Sequence, residues 1–285
     1  MKITLPKHFL GKSVVGTLER VLAGTPTSTP TSSTTPPSIV TTPTITDPQN
    51  YIILPGATHG KYSYGDILVA KHRLGKSTLT ELAGQQLGVV FENTSQEKDN
   101  TPYIGNINWQ TALKLNLTLG NCTLRPRQFI DFLLHLRKGA DNKTSVHDGR
   151  GTKIVKAELK NIYQEIVEER DPYRAEWLDA HFRNTLGEFR TTTAHVLNGT
   201  DLVAQGDEPL LTGYVMEDAY VDIASANAQG LPTNKSRKQE FYFWHPHNGK
   251  VARFDADSVR AVLSCGRNPS YALAGLGVRA AREKK

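Results

Sequence analysis

Two histidines, His245 and His247, lie close together in the segment Trp-His-Pro-His-Asn-Gly. Two imidazoles this close in a turn are a donor set that transition metals accept. The neighbouring sequence offers no spaced cysteine or carboxylate to complete a metal site. From sequence alone we therefore interpret the segment as a surface turn and assign no metal to it.

Two acids further along, Asp255 and Asp257, alternate as side chains do on a β-strand. A pair of carboxylates presented in this way suits a calcium ion, which needs six or more oxygen ligands. The sequence supplies no further ligands beside them, so two exposed acids at a sheet edge are the expected arrangement. No calcium is predicted.

Neither a catalytic group nor a nucleotide loop is evident. Arg174, Trp177 and Asp179 lie close in sequence, but an Arg–Asp pair supporting a tryptophan is a common structural arrangement. Cys122 and Cys265 lie too far apart for a disulfide framework or a thiolate zinc site, and Cys265 is typical of a small core residue. The final Gly-Leu-Gly-Val-Arg matches no phosphate-binding motif. We expect neither an enzyme nor a cofactor.

The densest cluster of positive charge is formed by Lys235, Arg237 and Lys238, directly before the aromatic run Phe-Tyr-Phe-Trp at 241–244. Cations beside aromatic rings are typical of proteins that bind single-stranded nucleic acid. The same alternation is typical of a buried strand next to a polar loop. We favour the strand and expect no nucleic-acid partner; nucleic-acid binding at 235–238 is the alternative function.

The elements that position these residues follow a linker. Of the 285 residues 38% are hydrophobic, and the net charge is +6. No apolar run predicts a membrane span or signal peptide. Residues 25–48 are almost wholly Thr, Ser and Pro, which predicts an extended linker. Residues 1–24 precede it and predict an amphipathic helix for attachment to a partner or for oligomerisation. The apolar positions behind that prediction are Phe9, Leu10, Val14, Val15, Leu18, Val21 and Leu22.

Residues 49–285 have the composition of one globular domain. A first strand is predicted at Tyr-Ile-Ile-Leu-Pro-Gly, and loops are expected up to about Thr101. One helix is predicted after Thr123 with Gly139 as its stop, and a second ends at Asp171-Pro172. Short aromatic and β-branched runs then predict irregular strands. The order of elements indicates an α+β fold with two helices.

The C-terminal stretch alternates a constant frame with positions that share no physical character. The frame reads Arg-Phe-x-Ala-x-Ser-x-Arg-Ala-x-Leu-x-Cys, then Pro-Ser and finally Leu-Gly-Val-Arg. Side chains that the fold does not constrain usually point outward, so we expect these intervening positions to bind a ligand. They are Asp255, Asp257, Val259, Ser264, Gly266, Arg267, Asn268, Tyr271, Leu273 and Gly275.

This frame resembles the variable region of the target proteins of diversity-generating retroelements, here residues 251–282. The upstream segments from Tyr-Ile-Ile-Leu-Pro-Gly onward are similar to the archaeal or uncultured-microbe branch of these proteins. Such systems rewrite template adenines, so asparagine codons change to many residues but never to Lys, Glu, Gln, Met or Trp. None of these five types occurs from Val251 to Arg282, although Lys250 and Glu283 flank the stretch.

The resemblance implies a C-type-lectin-like fold whose first and last strands lie side by side. It implies a non-enzymatic protein that displays a hypervariable face to a protein or glycan ligand, on a cell surface or a virion. The formylglycine-generating enzyme shares that fold, but its paired catalytic cysteines have no counterpart in Cys122 and Cys265.

Overall fold

The computed structural model divides the chain into two compact units, residues 1–40 and 41–285. It describes residues 47–284 and, in the first unit, two strands that pair antiparallel, β1 (His8–Phe9) and β2 (Lys12–Ser13). These strands stand where the sequence predicts a helix, because a short apolar run does not distinguish the two. The rest of the expected helix, and the linker up to residue 46, lie outside the described residues.

The described part of the second unit is mixed α+β, with four helices rather than the expected two. They are α1 (Thr78–Leu87), α2 (Trp109–Thr118), α3 (Pro126–Ala140) and α4 (Lys156–Val167). The two predicted helices correspond to α3 and α4. Gly139 lies inside α3 instead of stopping it, because Val146 and Leu159 approach so closely that a Cβ atom would lie within 2.8 Å of them. No helix among these is long and apolar enough to cross a membrane.

The two unpredicted helices occur where loops were expected or where no element was assigned. Helix α1 begins with a reciprocal cap, in which Ser77 and Thr80 each bond the other's backbone N–H. In α2 the Asn108 side chain accepts a hydrogen bond from the Thr111 N–H at 2.9 Å. Both helices have ten residues and depend on caps and packing rather than on a strong apolar stripe.

The two ends of the domain meet in one three-stranded sheet, ordered β17 (Arg279–Glu283), β6 (Ile67–Arg73), β3 (Tyr51–Leu54). The first strand, β3, was expected beside the last strand. It lies one strand away, because β6 follows β3 after a hairpin and pairs with both. The short pairs β4 (Ala57–His59) with β5 (Tyr62–Tyr64), and β7 (Asn93–Gln96) with β8 (Pro102–Ile104), flank this sheet in sequence.

The main sheet has eight strands and carries the C-terminal stretch. Its order is β11-β10-β9-β14-β15-β13-β12, with β16 paired to β9. The strands are β9 (Arg174–Thr185), β10 (Glu188–Asn198), β11 (Asp201–Pro209), β12 (Ala219–Val221), β13 (Phe241–Trp244), β14 (Lys250–Ala256), β15 (Ala261–Arg267) and β16 (Leu276–Gly277). Pairing is antiparallel except for β13 with β15 and β16 with β9.

Two apolar clusters hold this sheet. On one face, α3 and α4 pack against β9, β13, β14 and β15, and the Phe129 ring lies 5.0 Å from that of Phe254. On the opposite face, α2 packs against β9, where Trp177 donates a hydrogen bond to Ile107 O. Val262 of β15 points to the second face, is buried and belongs to neither cluster.

A cluster of six buried charges connects the elements that surround the C-terminal loop. Glu176 accepts hydrogen bonds from Arg279 at 2.9 Å and from Arg174 at 2.8 Å. Arg73 bonds Glu97 at 2.8 Å, and Glu165 completes the set beside Arg174. Arg170, which is partly exposed at the margin of the set, donates a hydrogen bond to Glu165. We call this set the buried charge cluster.

The pKa values of the three acids in the buried charge cluster shift in opposite directions. Arg279 and Arg174 hold the pKa of Glu176 below its usual value, although burial opposes them. Glu97, between Arg73 and Arg174, also has a lowered pKa. Burial and a hydrogen bond to Glu97 raise the pKa of Glu165 to about 7. Glu165 is therefore the member that gains a proton at mildly acid pH.

We expect Arg279→Met to cost about 3–5 kcal/mol of stability, because it leaves the buried Glu176 without its bidentate partner. The Arg279 guanidinium also donates to Ala70 O and Lys71 O at 2.7 and 2.6 Å. Denaturant unfolding measures the effect. Arg282→Met on the same strand is the matched control: Arg282 is partly exposed and stacks on Tyr51, so its loss should cost under about 1 kcal/mol. Equal costs would contradict the role of the buried charge cluster.

The raised pKa of Glu165 predicts a pH dependence. A group protonated more readily in the folded state stabilises it fully below its unfolded pKa, near 4.5, and loses that contribution as pH rises to about 7. Glu165→Gln cannot lose a proton, so the stability of this variant relative to the wild type should increase between pH 5 and pH 8. Thermal denaturation across that range measures it. Gln164→Ala, a non-titrating change on α4, should show a constant difference; a constant difference for Glu165→Gln too would refute the assignment.

Candidate ligand-binding face

The cross-strand register places two rows of side chains on the face of the main sheet opposite to α3 and α4; their members on β12 and β13 are partly exposed, and the others are buried. The first row runs Tyr220, Tyr242, Val262, Asp255, and the second runs Trp244, Ser264, Arg253, Trp177. Successive residues of a strand point to opposite faces, so Phe241 and Phe243 enter the core while their neighbours do not. This agrees with the strand interpretation of Phe-Tyr-Phe-Trp.

Guanidinium groups cover the aromatic rings of these rows. The Arg260 guanidinium lies 3.8 Å from the Tyr242 ring centre, and that of Arg267 lies 3.8 Å from the Trp244 ring centre. The Tyr220 ring meets Tyr242 edge-on at 5.0 Å. These stacked side chains are partly exposed and present flat, cationic and aromatic surface to solvent. We call them the arginine–aromatic face: Tyr220, Tyr242, Trp244, Arg260 and Arg267.

Asp255 lies beneath this face and is buried rather than outward-pointing. It accepts hydrogen bonds from Arg253 at 2.8 Å and from Arg267 at 3.0 Å. Ser264 is also fully buried, and within the described residues its hydroxyl has no hydrogen-bond partner. The expectation that all ten alternating positions are exposed is therefore wrong for both residues, because both project into the tightly packed middle of the sheet. Asp255 instead holds Arg267 in its stacked position.

The loop that follows β15, residues 268–275, is fixed through its backbone. Its carbonyl oxygens accept hydrogen bonds from other parts of the domain: Pro269 O from Trp109 N–H (3.0 Å), Leu273 O from Asn106 N–H (3.0 Å), Ala274 O from the Thr94 and Ser95 hydroxyls (2.9 and 3.0 Å), and Gly275 O from Ala175 N–H (2.8 Å). The Tyr271 and Leu273 side chains are 48% and 47% exposed. The loop backbone thus holds its position without using these side chains.

The other predicted positions divide between the two ends of β15. Val259 is 60% exposed in the turn before the strand, next to the Arg260–Tyr242 stack. Gly266, Arg267 and Asn268 are partly exposed at the far end. Asp257 forms the turn itself, since its carboxylate accepts hydrogen bonds from the backbone N–H groups of Val259 and Arg260 at 2.8 and 3.0 Å.

Gly275 is buried, so the expectation that this position faces outward is wrong for it as well. A Cβ atom there would lie 2.3 Å from the Tyr173 carbonyl oxygen, a contact that requires the backbone to move. At Gly266 a Cβ atom would meet only His247 and His245 O, at 3.5 Å or more, which is ordinary contact. The sequence does not distinguish these two glycines. The structure does, because the surrounding atoms leave room for a side chain at Gly266 and not at Gly275.

The two acids expected to be exposed at a sheet edge are not both exposed, since Asp255 is buried, and they do not form a shared calcium site. Asp255 is held by two arginines and Asp257 by the turn, so neither carboxylate is free for a shared ion. The histidine turn, in contrast, gains the carboxylate that the sequence does not show. Asp218, 27 residues before His245, lies 2.8 Å from the His245 ring nitrogen Nδ1.

The remaining candidates have structural roles. Arg174 pairs with Glu176 rather than with Asp179, and Asp179 binds the His195 ring. Burial raises the pKa of Cys122 to about 11, and it also raises that of Cys265. Neither thiol is thus activated as a nucleophile.

One of the three cations of the basic cluster is paired with an acid. Lys235 pairs with Glu217, and two of the four aromatic rings that follow, Phe241 and Phe243, lie in the core. Sequence reasoning had not assigned Tyr242, Trp244 and Arg260 to a ligand-binding face. The alternation at 241–244 was the signal for the first two, because it assigns them to the side opposite the buried phenylalanines.

No protein-family model matches the chain, and neither a curated protein nor a solved structure shows significant similarity to it.

The two glycines give a matched test of which positions the loop backbone constrains. We expect Gly275→Ala to cost at least about 1 kcal/mol through the clash with Tyr173 O, whereas Gly266→Ala should change stability by less than about 0.5 kcal/mol. Thermal or denaturant unfolding of the two variants side by side measures this. A Gly275→Ala variant as stable as Gly266→Ala would show that the loop backbone adapts freely.

Proposed function

We propose that this protein is a non-enzymatic binding protein whose C-terminal half displays a ligand-binding face. The observation that carries the proposal is the loop at 268–275, which is anchored by backbone hydrogen bonds while Tyr271 and Leu273 project outward. A side chain that takes no part in holding its own backbone is free to change without loss of the fold. Binding through a rigid backbone also costs little ordering entropy.

The chemistry of the face indicates the kind of ligand. Arginine, tyrosine and tryptophan are the residues that dominate binding energy at protein interfaces. Stacked guanidinium and aromatic groups at Trp244–Arg267 and Tyr242–Arg260 offer hydrogen bonds together with flat apolar surface. A protein or a glycan on another cell or virus would meet both requirements.

The second part of the proposal is that a retroelement diversifies the exposed side chains of this face. The frame in residues 251–282 resembles the variable region of retroelement target proteins, and the five residue types that adenine mutagenesis cannot produce are missing from it. A C-type-lectin-like domain is the fold proposed with this resemblance. The mixed α+β architecture, and the sheet that joins the two ends of the domain, are compatible with that fold.

Nucleic-acid binding at 235–238 stays the alternative. The ion pair of Lys235 with Glu217, and the burial of Phe241 and Phe243, give it less support than the resemblance gives a variable face. An affinity for single strands that falls steeply with salt would identify it.

Deep sequencing of codons 250–285 in the source population, with the flanking DNA, tests the proposal. We expect substitutions that trace to adenines of a nearby template copy and that concentrate at the exposed positions. These are Val259, Gly266, Arg267, Asn268, Tyr271 and Leu273. Phe254, Arg260 and residues 275–279 should be constant. Codons 174–209, which encode β9 to β11, are the internal control. A stretch as uniform as that control, with no template copy nearby, would overturn the proposal.

A further inference from the structure

Three side chains converge at the edge of the arginine–aromatic face. Asp218, His245 and His247 each offer a donor atom, and these atoms all lie within 4.8 Å of one another. The two imidazole rings are 4.4 Å apart between centres. From this geometry we propose that Asp218, His245 and His247 bind a divalent transition metal such as zinc.

The backbone brings these residues together. Strand β12 pairs antiparallel with β13, with Ala219 opposite Phe243, so Asp218 arrives beside the end of β13. Its carboxylate accepts a hydrogen bond from the His245 backbone N–H at 3.2 Å and contacts His245 Nδ1 at 2.8 Å. Residues before a proline favour extended backbone, and side chains two apart on extended chain share a side. Pro246 therefore favours an arrangement that puts His245 and His247 on one side.

The backbone around His247 is held by hydrogen bonds of the loop that it opens. Lys250 N–H donates to the His247 carbonyl oxygen at 3.2 Å, and the next turn is held by a bond from Gly249 N–H to Phe182 O at 2.9 Å. The segment between β13 and β14 is thus tied at both ends. A site on such a segment needs little reorganisation to accept an ion.

The donor set selects the class of metal. Two imidazole nitrogens and one carboxylate oxygen suit zinc and its first-row neighbours, whereas calcium and magnesium prefer oxygen alone. Asp218 and His247 are exposed and His245 is partly exposed. A metal with three protein donors at such a site keeps coordination positions open to solvent.

The proposed site borders a position that tolerates a side chain. A Cβ atom on Gly266 would lie 3.5 Å from the His247 ring. The metal proposal does not rest on the proposed function, because it concerns the binding of the ion alone.

Titration of the untagged, chelator-treated full chain with zinc chloride by calorimetry tests the proposal. We expect one saturable site per chain, and a weakening of more than about tenfold in each of His245→Ala, His247→Ala and Asp218→Asn. Zinc should also raise the melting temperature of the wild type but not of His247→Ala. Because His247 is exposed and outside both apolar clusters, this variant should fold normally without metal.

His59→Ala is the matched control. His59 Nε2 lies 2.8 Å from Asp131 Oδ2, a histidine–carboxylate contact of the same length that no second histidine joins within the described part of the chain. This variant should bind zinc as the wild type does. Absence of saturable binding in the wild type would overturn the proposal, as would wild-type affinity in any of the three site variants.

Discussion

The fold depends on the buried charge cluster that joins β6, α4, β9 and β17. Removing a charge from water is costly, so six buried charges persist only where each carboxylate has its guanidinium partner. Arg279 on the last strand bonds Glu176 of the main sheet and two carbonyl groups of β6. The chain end is thereby fixed to both sheets. Arg73 extends the same cluster to Ala175 O and Gly275 O, at 3.2 and 3.3 Å.

This link explains how a long C-terminal stretch with little regular structure holds one conformation. Residues 268–275 run between two fixed points, β15 in the main sheet and the segment that enters β17. Along the way their carbonyl groups accept hydrogen bonds from donors on α2 and β7. Every residue type has a backbone carbonyl group, so these hydrogen bonds do not depend on which side chains the loop residues carry. In this loop the backbone atoms provide the anchoring, and the exposed Tyr271 and Leu273 side chains take no part in it.

Sequence patterns were sufficient where periodicity or local stop signals were strong. The strand at 51–54, helices α3 and α4, and the alternating strand at 241–244 were predicted and are present. Helix α1 depends on a reciprocal cap and α2 on an asparagine cap, and both carry a weaker apolar pattern. A long-range partner was beyond any pattern: Asp218 reaches His245 only once β12 and β13 are paired. The partner of Arg174 could have been read from alternation, because Glu176, two residues on, shares its side of the strand and Asp179, five residues on, does not.

The candidate positions show most clearly what the backbone adds. Alternation alone placed Asp255, Ser264 and Tyr271 in one class, yet the first two lie in the packed middle of the sheet and only Tyr271 is exposed. The difference follows from location: a residue inside a paired strand has neighbours on both sides, whereas a residue in a loop anchored by its carbonyl groups has few. The residues at and around the arginine–aromatic face therefore differ in what holds them: Tyr242 and Trp244 lie on a paired strand, whereas Val259 and Tyr271 lie in the turn and the loop that flank β15.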